Sequence, residues 1–304
     1  MAIGTMEEGI RLKRVSENTF QSIATPFTWA DGVVVPGGLL MALSANAAFE
    51  TVSQDFSVDS LQANFLLGPR TDLPMDLEVT QLSDGGRFAV RMVHMKQGGR
   101  LLVHSTCTFV RGLRGESMQH TTGRATTETV DEITLDDLEV DRNDRGPYMK
   151  YQRLGVVQTG GKDATEAPPD AMTYTSVCTV SPRISSNTAR LHSIGIILLS
   201  DYHVLDCPPT VHGLSTGQPA IGDHQRNIKA SHFKYLTSLN HSIHFHVHEG
   251  FRADDLIYLE ANSPWSGNRR GEILTRMFTK DGRLVATCKQ EGYYVLHEKG
   301  LGKL

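Results

Sequence analysis

The 304-residue sequence predicts an α+β fold in which a helix lying against a curved antiparallel sheet is built twice. Three observations carry that prediction. Two stretches far apart in the chain share one layout: DGGRFAVRMVHMKQGGRLLVHSTCTFVRG from Asp84, and GNRRGEILTRMFTKDGRLVATCKQEGYYVL from Gly267. A helix-forming apolar segment followed by a strand precedes each of them. The length also exceeds what a single core usually organises, so two units are expected.

The elements follow in chain order. In the first half, PGGLLMALSANAAFETV starts after Pro36-Gly37-Gly38 and carries alanines on several faces. Leu40, Leu43 and Ala47 can then be buried while Ala42, Ala45 and Ala48 let strands approach closely, the mark of a helix wrapped by sheet. VDSLQANFLLG reads as the next strand, and the hairpin turns at Gly98-Gly99. Residues 112–151 are rich in Thr, Asp, Glu and Arg and read as a solvated connector, with a short helical turn around Leu135–Val140. The second half opens on strands such as MTYTSVCTV after Pro168-Pro169. LHSIGIILLSDYHVL is apolar nearly all round; its β-branched residues allow a strand, and its place in the repeat decides for a helix, with Asp201 read as its cap or end in preference to a residue lining the cleft between the halves. YLTSLNHSIHFHVH is the following strand, and the second hairpin turns at Asp281-Gly282. Two such units, 1–111 and 152–304 around the connector, can join edge to edge and remove exposed strand edges, the layout called a double hotdog.

Composition excludes several functions. The formal charge of −4 provides no general cationic field, so nucleic acid and anionic membranes are not expected partners. The N-terminal MAIGTMEEGIRLKRVS is no secretory signal, and the apolar run Ile194–Leu199 is far too short to span a bilayer, so the chain reads as soluble and intracellular. Cys107, Cys178, Cys207 and Cys288 stand apart without a CxxC pair and read as buried thiols. Gly302-Lys303-Leu304 resembles the Ser-Lys-Leu peroxisomal address, which leaves cytoplasm or peroxisome as the location.

The segments SLNHSIHFH from Ser238, FRADDLIYL from Phe251, NSPWSGNRRG from Asn262 and DGRLVATCKQEG from Asp281 come in an order and spacing that resemble the acyl-CoA thioesterase II family. The resemblance runs from about His192 to Val295, and more weakly from about Gly37 to Arg111. It implies hydrolysis of an acyl-CoA, or a related fatty or polyketide-type acyl thioester, to free acid and coenzyme A. It implies neither a metal nor a cofactor nor an acyl-enzyme. The family's aspartate, hydroxyl residue and glutamine hold and activate water. Ser263 falls at the hydroxyl position, Gln290 at the glutamine, and Asn240 where the family has aspartate.

An asparagine amide cannot take a proton from water near neutral pH, and losing a positioned base typically costs roughly 10²–10⁴-fold. Two readings therefore stand: a thioesterase, or a non-hydrolytic relative acting as dehydratase, isomerase or acyl-thioester binder. His244, on the strand face of Asn240, is the alternative base. A backbone N–H near Gly38 would polarise the thioester carbonyl, and Arg269 and Arg270 would neutralise coenzyme A phosphates. Pairing through the remaining sheet edges implies a homo-oligomer.

Three other motifs are set aside. The histidines at 244, 246 and 248 share a strand face, but no spaced carboxylate or cysteine completes a metal shell. Gly213-Leu214-Ser215-Thr216-Gly217 matches the serine-hydrolase elbow, yet Pro208-Pro209 and Pro219 place it in a loop. The Asp141–Gly146 run lacks the ligands of a calcium loop, because Arg145 takes a ligand position and Gln152 replaces the final glutamate.

Overall fold

A computed structural model describes residues 4–29, 34–113, 115–125, 131–140, 148–158, 167–218 and 229–297. The Asp141–Gly146 run and the terminal Gly302-Lys303-Leu304 lie outside the described residues. In chain order the elements are α1 (Met6–Gly9), β1 (Leu12–Ser16), β2 (Thr19–Ser22), α2 (Gly37–Phe49), β3 (Ser57–Phe65), β4 (Asp76–Asp84), β5 (Phe88–Gln97) and β6 (Arg100–Val110). After the connector come β7 (Met149–Gln158), β8 (Met172–Val180), α3 (Ala189–Leu199), α4 (Cys207–Val211), β9 (Phe233–Phe245), β10 (Ile257–Gly267), β11 (Arg270–Thr279) and β12 (Leu284–Leu296).

The strands form one antiparallel sheet of twelve. Its seam is β3 against β9, where Gln62 faces Ser242, Ala63 faces His241 and Asn64 faces Asn240. Outward from the seam the order is β6-β5-β4-β2-β1 on one side and β12-β11-β10-β8-β7 on the other, so the second half repeats the first. The shared sequence layout is therefore structural. Gly98, Gly99 and Gly282 turn the matching hairpins with φ of 54°, 77° and 86°, a left-handed backbone that glycine adopts without steric cost.

Helices α2 and α3 pack on each other inside the curve of the sheet. Eleven of the thirteen residues of α2 are buried, which is why its sequence shows no polar face. Ala42, Ala45, Ala47 and Ala48 are completely covered, as close packing of strands on a helix requires. The crossing is tightest at Gly38, where a Cβ would stand 2.4 Å from the Leu198 carbonyl oxygen. No side chain at all can be accommodated between the start of α2 and the end of α3.

The connector is not fully solvated. Ile133 and Leu138 are buried against Val177, Leu256, Tyr258 and Phe278 on the outer side of the second half. Ile133, Leu138 and the half-buried Leu135 that packs with them, two and three positions apart, follow neither the strand nor the helix period throughout, so the sequence does not show this docking. The backbone N–H of Ala125 also donates to the Glu260 carboxylate. Strand β7 begins at Met149, inside the segment read as connector. Among the described residues no helix is long and apolar enough to cross a membrane.

Candidate active site

The site forms where the two helices meet. Pro36 precedes α2 and offers no side-chain cap, so the first N–H groups of the helix need an acceptor from elsewhere. Asp201, two residues beyond the end of α3, supplies it: Oδ2 accepts the Gly38 N–H at 2.8 Å. The residue does not cap its own helix, as the sequence suggested, but closes the start of the other one. A carboxylate at a helix N-terminus is favoured by the helix dipole as well as by the hydrogen bond.

The other oxygen of Asp201 faces the sheet. Gln290 Nε2, on the inward face of β12, donates to Asp201 Oδ1 at 2.6 Å and to Ser238 Oγ at 2.5 Å. Gln290 and Asp201 are 1% and 2% exposed, while Ser238 is half-buried and forms the more open side of the cluster. Burial raises the Asp201 pKa to about 6, against the opposing pull of the Gly38 N–H, the Gln290 amide, the Ser238 hydroxyl and the Gly37 N–H. A carboxylate with that pKa is ionised at neutral pH, yet is a far better proton acceptor than an exposed aspartate.

Ser238 reaches this face because β9 is irregular. Strict alternation would put Ser238 on the outer face with Asn240 and Ser242. The pairing of β9 with β12 instead steps from Asn240 opposite Glu291 to Ser238 opposite Gly292, leaving Leu239 as the extra residue of a bulge. Bulges re-aim side chains, and this one turns the Ser238 hydroxyl to Gln290.

Of the three residues expected to act on water, the structure brings only Gln290 into the cluster. Asn240 lies outside it, its Nδ2 donating to Glu291 Oε2 at 3.3 Å on the outer face. Ser263 is buried on β10, with its hydroxyl toward the Trp265 carbonyl at 3.4 Å. Strand β11 separates it from β12, a gap of two strand spacings, or about 9.6 Å. His244 is exposed and paired with Thr287 and Ser60 on the outer face, whereas Asp201 meets the inner one.

The remaining expected contacts are also placed. The Gly38 N–H goes to Asp201 and not outward to a substrate carbonyl. Arg269 is exposed in the β10–β11 turn at φ 62°. Arg270 is paired with Glu291 at 3.0 Å and stacks over Trp265. Among the described residues no group of three or more His, Cys, Asp or Glu converges as metal ligands would. Ser215 lies in a turn, its Oγ accepting the Gly217 N–H at 3.1 Å.

Sequence reasoning missed Asp201 and Ser238 as partners of Gln290. A carboxylate just past the apolar Ile194–Leu199 run that ends α3 is a signal for the first, because a buried helix end leaves little solvent for it. Among the described residues the first half carries no equivalent cluster. Thr51, two residues past α2, occupies the place of Asp201 and is held by the buried Arg91. Ala63 and Ser105 pair as His241 and Gln290 do, so the carboxylate, imidazole and amide are all replaced by short side chains.

This architecture has known counterparts. Residues 25–110 match the acyl-CoA thioesterase N-terminal domain and residues 135–294 the acyl-CoA thioesterase C-terminal domain. Acyl-coenzyme A thioesterase 8 of Mus musculus is 26% identical, over 84% of this chain and 78% of its own. Peroxisomal acyl-coenzyme A thioester hydrolase 1 of Saccharomyces cerevisiae is 23% identical, over 97% of this chain and 95% of its own. The crystal structure of the acyl-CoA thioesterase II TesB2 from Mycobacterium marinum covers 97% of this chain and 100% of that one, with a TM-score of 0.70 at 22% identity. At that identity the structural likeness shows the fold, the double hotdog, and the two domain matches span most of the sequence. The chain belongs to the acyl-CoA thioesterase II family.

Proposed function

We propose that the protein hydrolyses acyl-CoA thioesters to a free acid and coenzyme A, with Asp201, Ser238 and Gln290 as its working groups. The observation that carries this reading is the convergence of a buried, basic carboxylate with an amide and a hydroxyl at one point. Asp201 takes a proton from water as the water oxygen bonds to the thioester carbonyl carbon. Collapse of the tetrahedral intermediate breaks the C–S bond, and the proton passes from Asp201 to the departing thiolate. Gln290 holds Asp201 and Ser238 in register, so that water is met by a fixed constellation.

The non-hydrolytic reading rested on Asn240 in the place of the base. With Asp201 in the cluster a base is present, and that reading is not retained. Arg269 is the residue we assign to a coenzyme A phosphate, since Arg270 is engaged by Glu291. A homo-oligomer is supported by the outer edge of β1, where the sheet order ends, whereas Glu139 already bridges Tyr151 on the outer edge of β7; sedimentation velocity tests it, a monomer at all concentrations being the contrary result. A peroxisomal location is supported by the Ser-Lys-Leu-like terminus and by the name of the yeast relative. Import of the tagged chain, lost on removal of its last three residues, is the expected behaviour.

The activity is tested by following thiol release from short, long and branched acyl-CoAs. Turnover of at least one of them by the wild-type protein, abolished in Asp201→Asn, is expected. Absence of turnover across the panel overturns the reading.

A further inference from the structure

His241 is the one titratable side chain of the site to which the hydrolytic mechanism gives no part. It lies on the inward face of β9, directly opposite Gln290 on β12 and Ala63 on β3, and is 1% exposed. Its Nε2 is 3.1 Å from Ser200 Oγ. The Ser200 hydroxyl donates its hydrogen to the Ile197 carbonyl at 2.8 Å, so its oxygen meets the ring as an acceptor. The imidazole proton therefore sits on Nε2, and Nδ1 presents a lone pair.

That lone pair points to the working groups. Nδ1 stands 4.0 Å from Asp201 Oδ1. It is buried and makes no hydrogen bond within the described residues, and the same is true of Gln290 Oε1 beside it. Buried polar atoms are paired as a rule, so an orphaned acceptor next to a reactive carboxylate calls for a donor from outside the chain. Burial lowers the imidazole pKa to about 4, so the ring is neutral at working pH and keeps one lone pair.

The spacing selects the donor. A water oxygen about 2.8 Å from each of two acceptors 4.0 Å apart sees them at an angle of about 90°, close to the angle between its own two O–H bonds. One water can thus give one hydrogen to Asp201 Oδ1 and the other to His241 Nδ1. We propose that His241 is a further catalytic residue, whose Nδ1 holds the second hydrogen of the water that Asp201 deprotonates and so aims its lone pair at the thioester. Ser200 is the positioning residue that fixes the imidazole tautomer. The proposal rests on the assignment of Asp201 as base.

Two substitutions separate this role from packing. The amide of His241→Asn comes where Nδ1 was and keeps an acceptor for water; that of His241→Gln comes where Nε2 was and keeps only Ser200. Loss of one hydrogen bond in the transition state is worth about 10- to 100-fold in rate. His241→Gln is expected to lose that much in kcat with KM unchanged, and His241→Asn to stay within about 5-fold of wild type. Equal losses in the two variants, or wild-type kcat in His241→Gln, would overturn the proposal. If thermal melts show that neither variant folds, a high-resolution crystal structure of the wild-type protein decides: a water within hydrogen-bond distance of both Nδ1 and Asp201 Oδ1 is expected, and a dry contact between them is the contrary result. Asp201→Asn distinguishes the two levels. If that variant turns over, the base assignment itself fails; if it is inert while His241→Gln is fully active, only the role of His241 fails.

Discussion

Replacing Asp201 by asparagine should abolish hydrolysis and stabilise the fold, a combination that marks a group held in place against its own solvation. Burial raises its pKa from 3.8 to about 6. At 1.36 kcal/mol per unit, keeping the ionised carboxylate folded at neutral pH costs about 3 kcal/mol relative to its protonated form. The folded pKa exceeds the unfolded one. Its contribution to stability is thus fully present below about pH 4 and is lost as the pH rises through about 6. Asparagine resembles the protonated acid and carries no such pH dependence. Its Oδ1 can accept the Gly38 N–H, and its amide can donate to Gln290 once that side chain turns its oxygen inward. The turned Gln290 then directs its own N–H toward the unpaired Nδ1 of His241. Urea unfolding at pH 7.5 should show Asp201→Asn more stable than wild type by about 1–3 kcal/mol, with the difference shrinking toward pH 4. Thiol release should be lost in the same variant. A variant that is less stable than wild type at pH 7.5, or whose advantage is the same at every pH, would refute the burial argument.

Two further predictions follow from the same geometry. The pH profile of kcat/KM should rise through a single ascending limb near 6 as Asp201 ionises, with His241 neutral over that range; activity already at its plateau at pH 4.5 contradicts a base of that strength. Gly38→Ala should destabilise the protein by about 1–3 kcal/mol, because its Cβ would stand 2.4 Å from the Leu198 carbonyl oxygen and backbone must move. It should also lower kcat by drawing the N–H away from Asp201, and unchanged melting and turnover would show the crossing to be slack.

The fold was legible because its signals are local and repeated. The glycine turns of both hairpins, the alanine-rich α2 and the strand from Met172 each depend on a few neighbouring residues. The candidate site was legible only in part. Gln290 could be found, since a glutamine centred in a β-rich strand needs a partner. Ser238 could not be placed by alternation, because the bulge at Leu239 breaks the period that sequence reasoning relies on. Asn240 and Ser263 drew attention by sitting inside specific-looking segments, but one faces outward and the other lies two strands from Gln290. Asp201 stands 89 residues from Gln290 in sequence, and only the crossing of α2 and α3 brings them together.

The most direct measurement is the rate of thiol release by Ser238→Ala, Ser263→Ala and Asn240→Asp beside wild type, at saturating acyl-CoA. A cluster of Asp201, Ser238 and Gln290 predicts a loss of about 10-fold or more in Ser238→Ala, with the other two variants within a few-fold of wild type. Full activity in Ser238→Ala, with loss in Ser263→Ala or a large gain in Asn240→Asp, would contradict it and return the chemistry to Ser263 and Asn240.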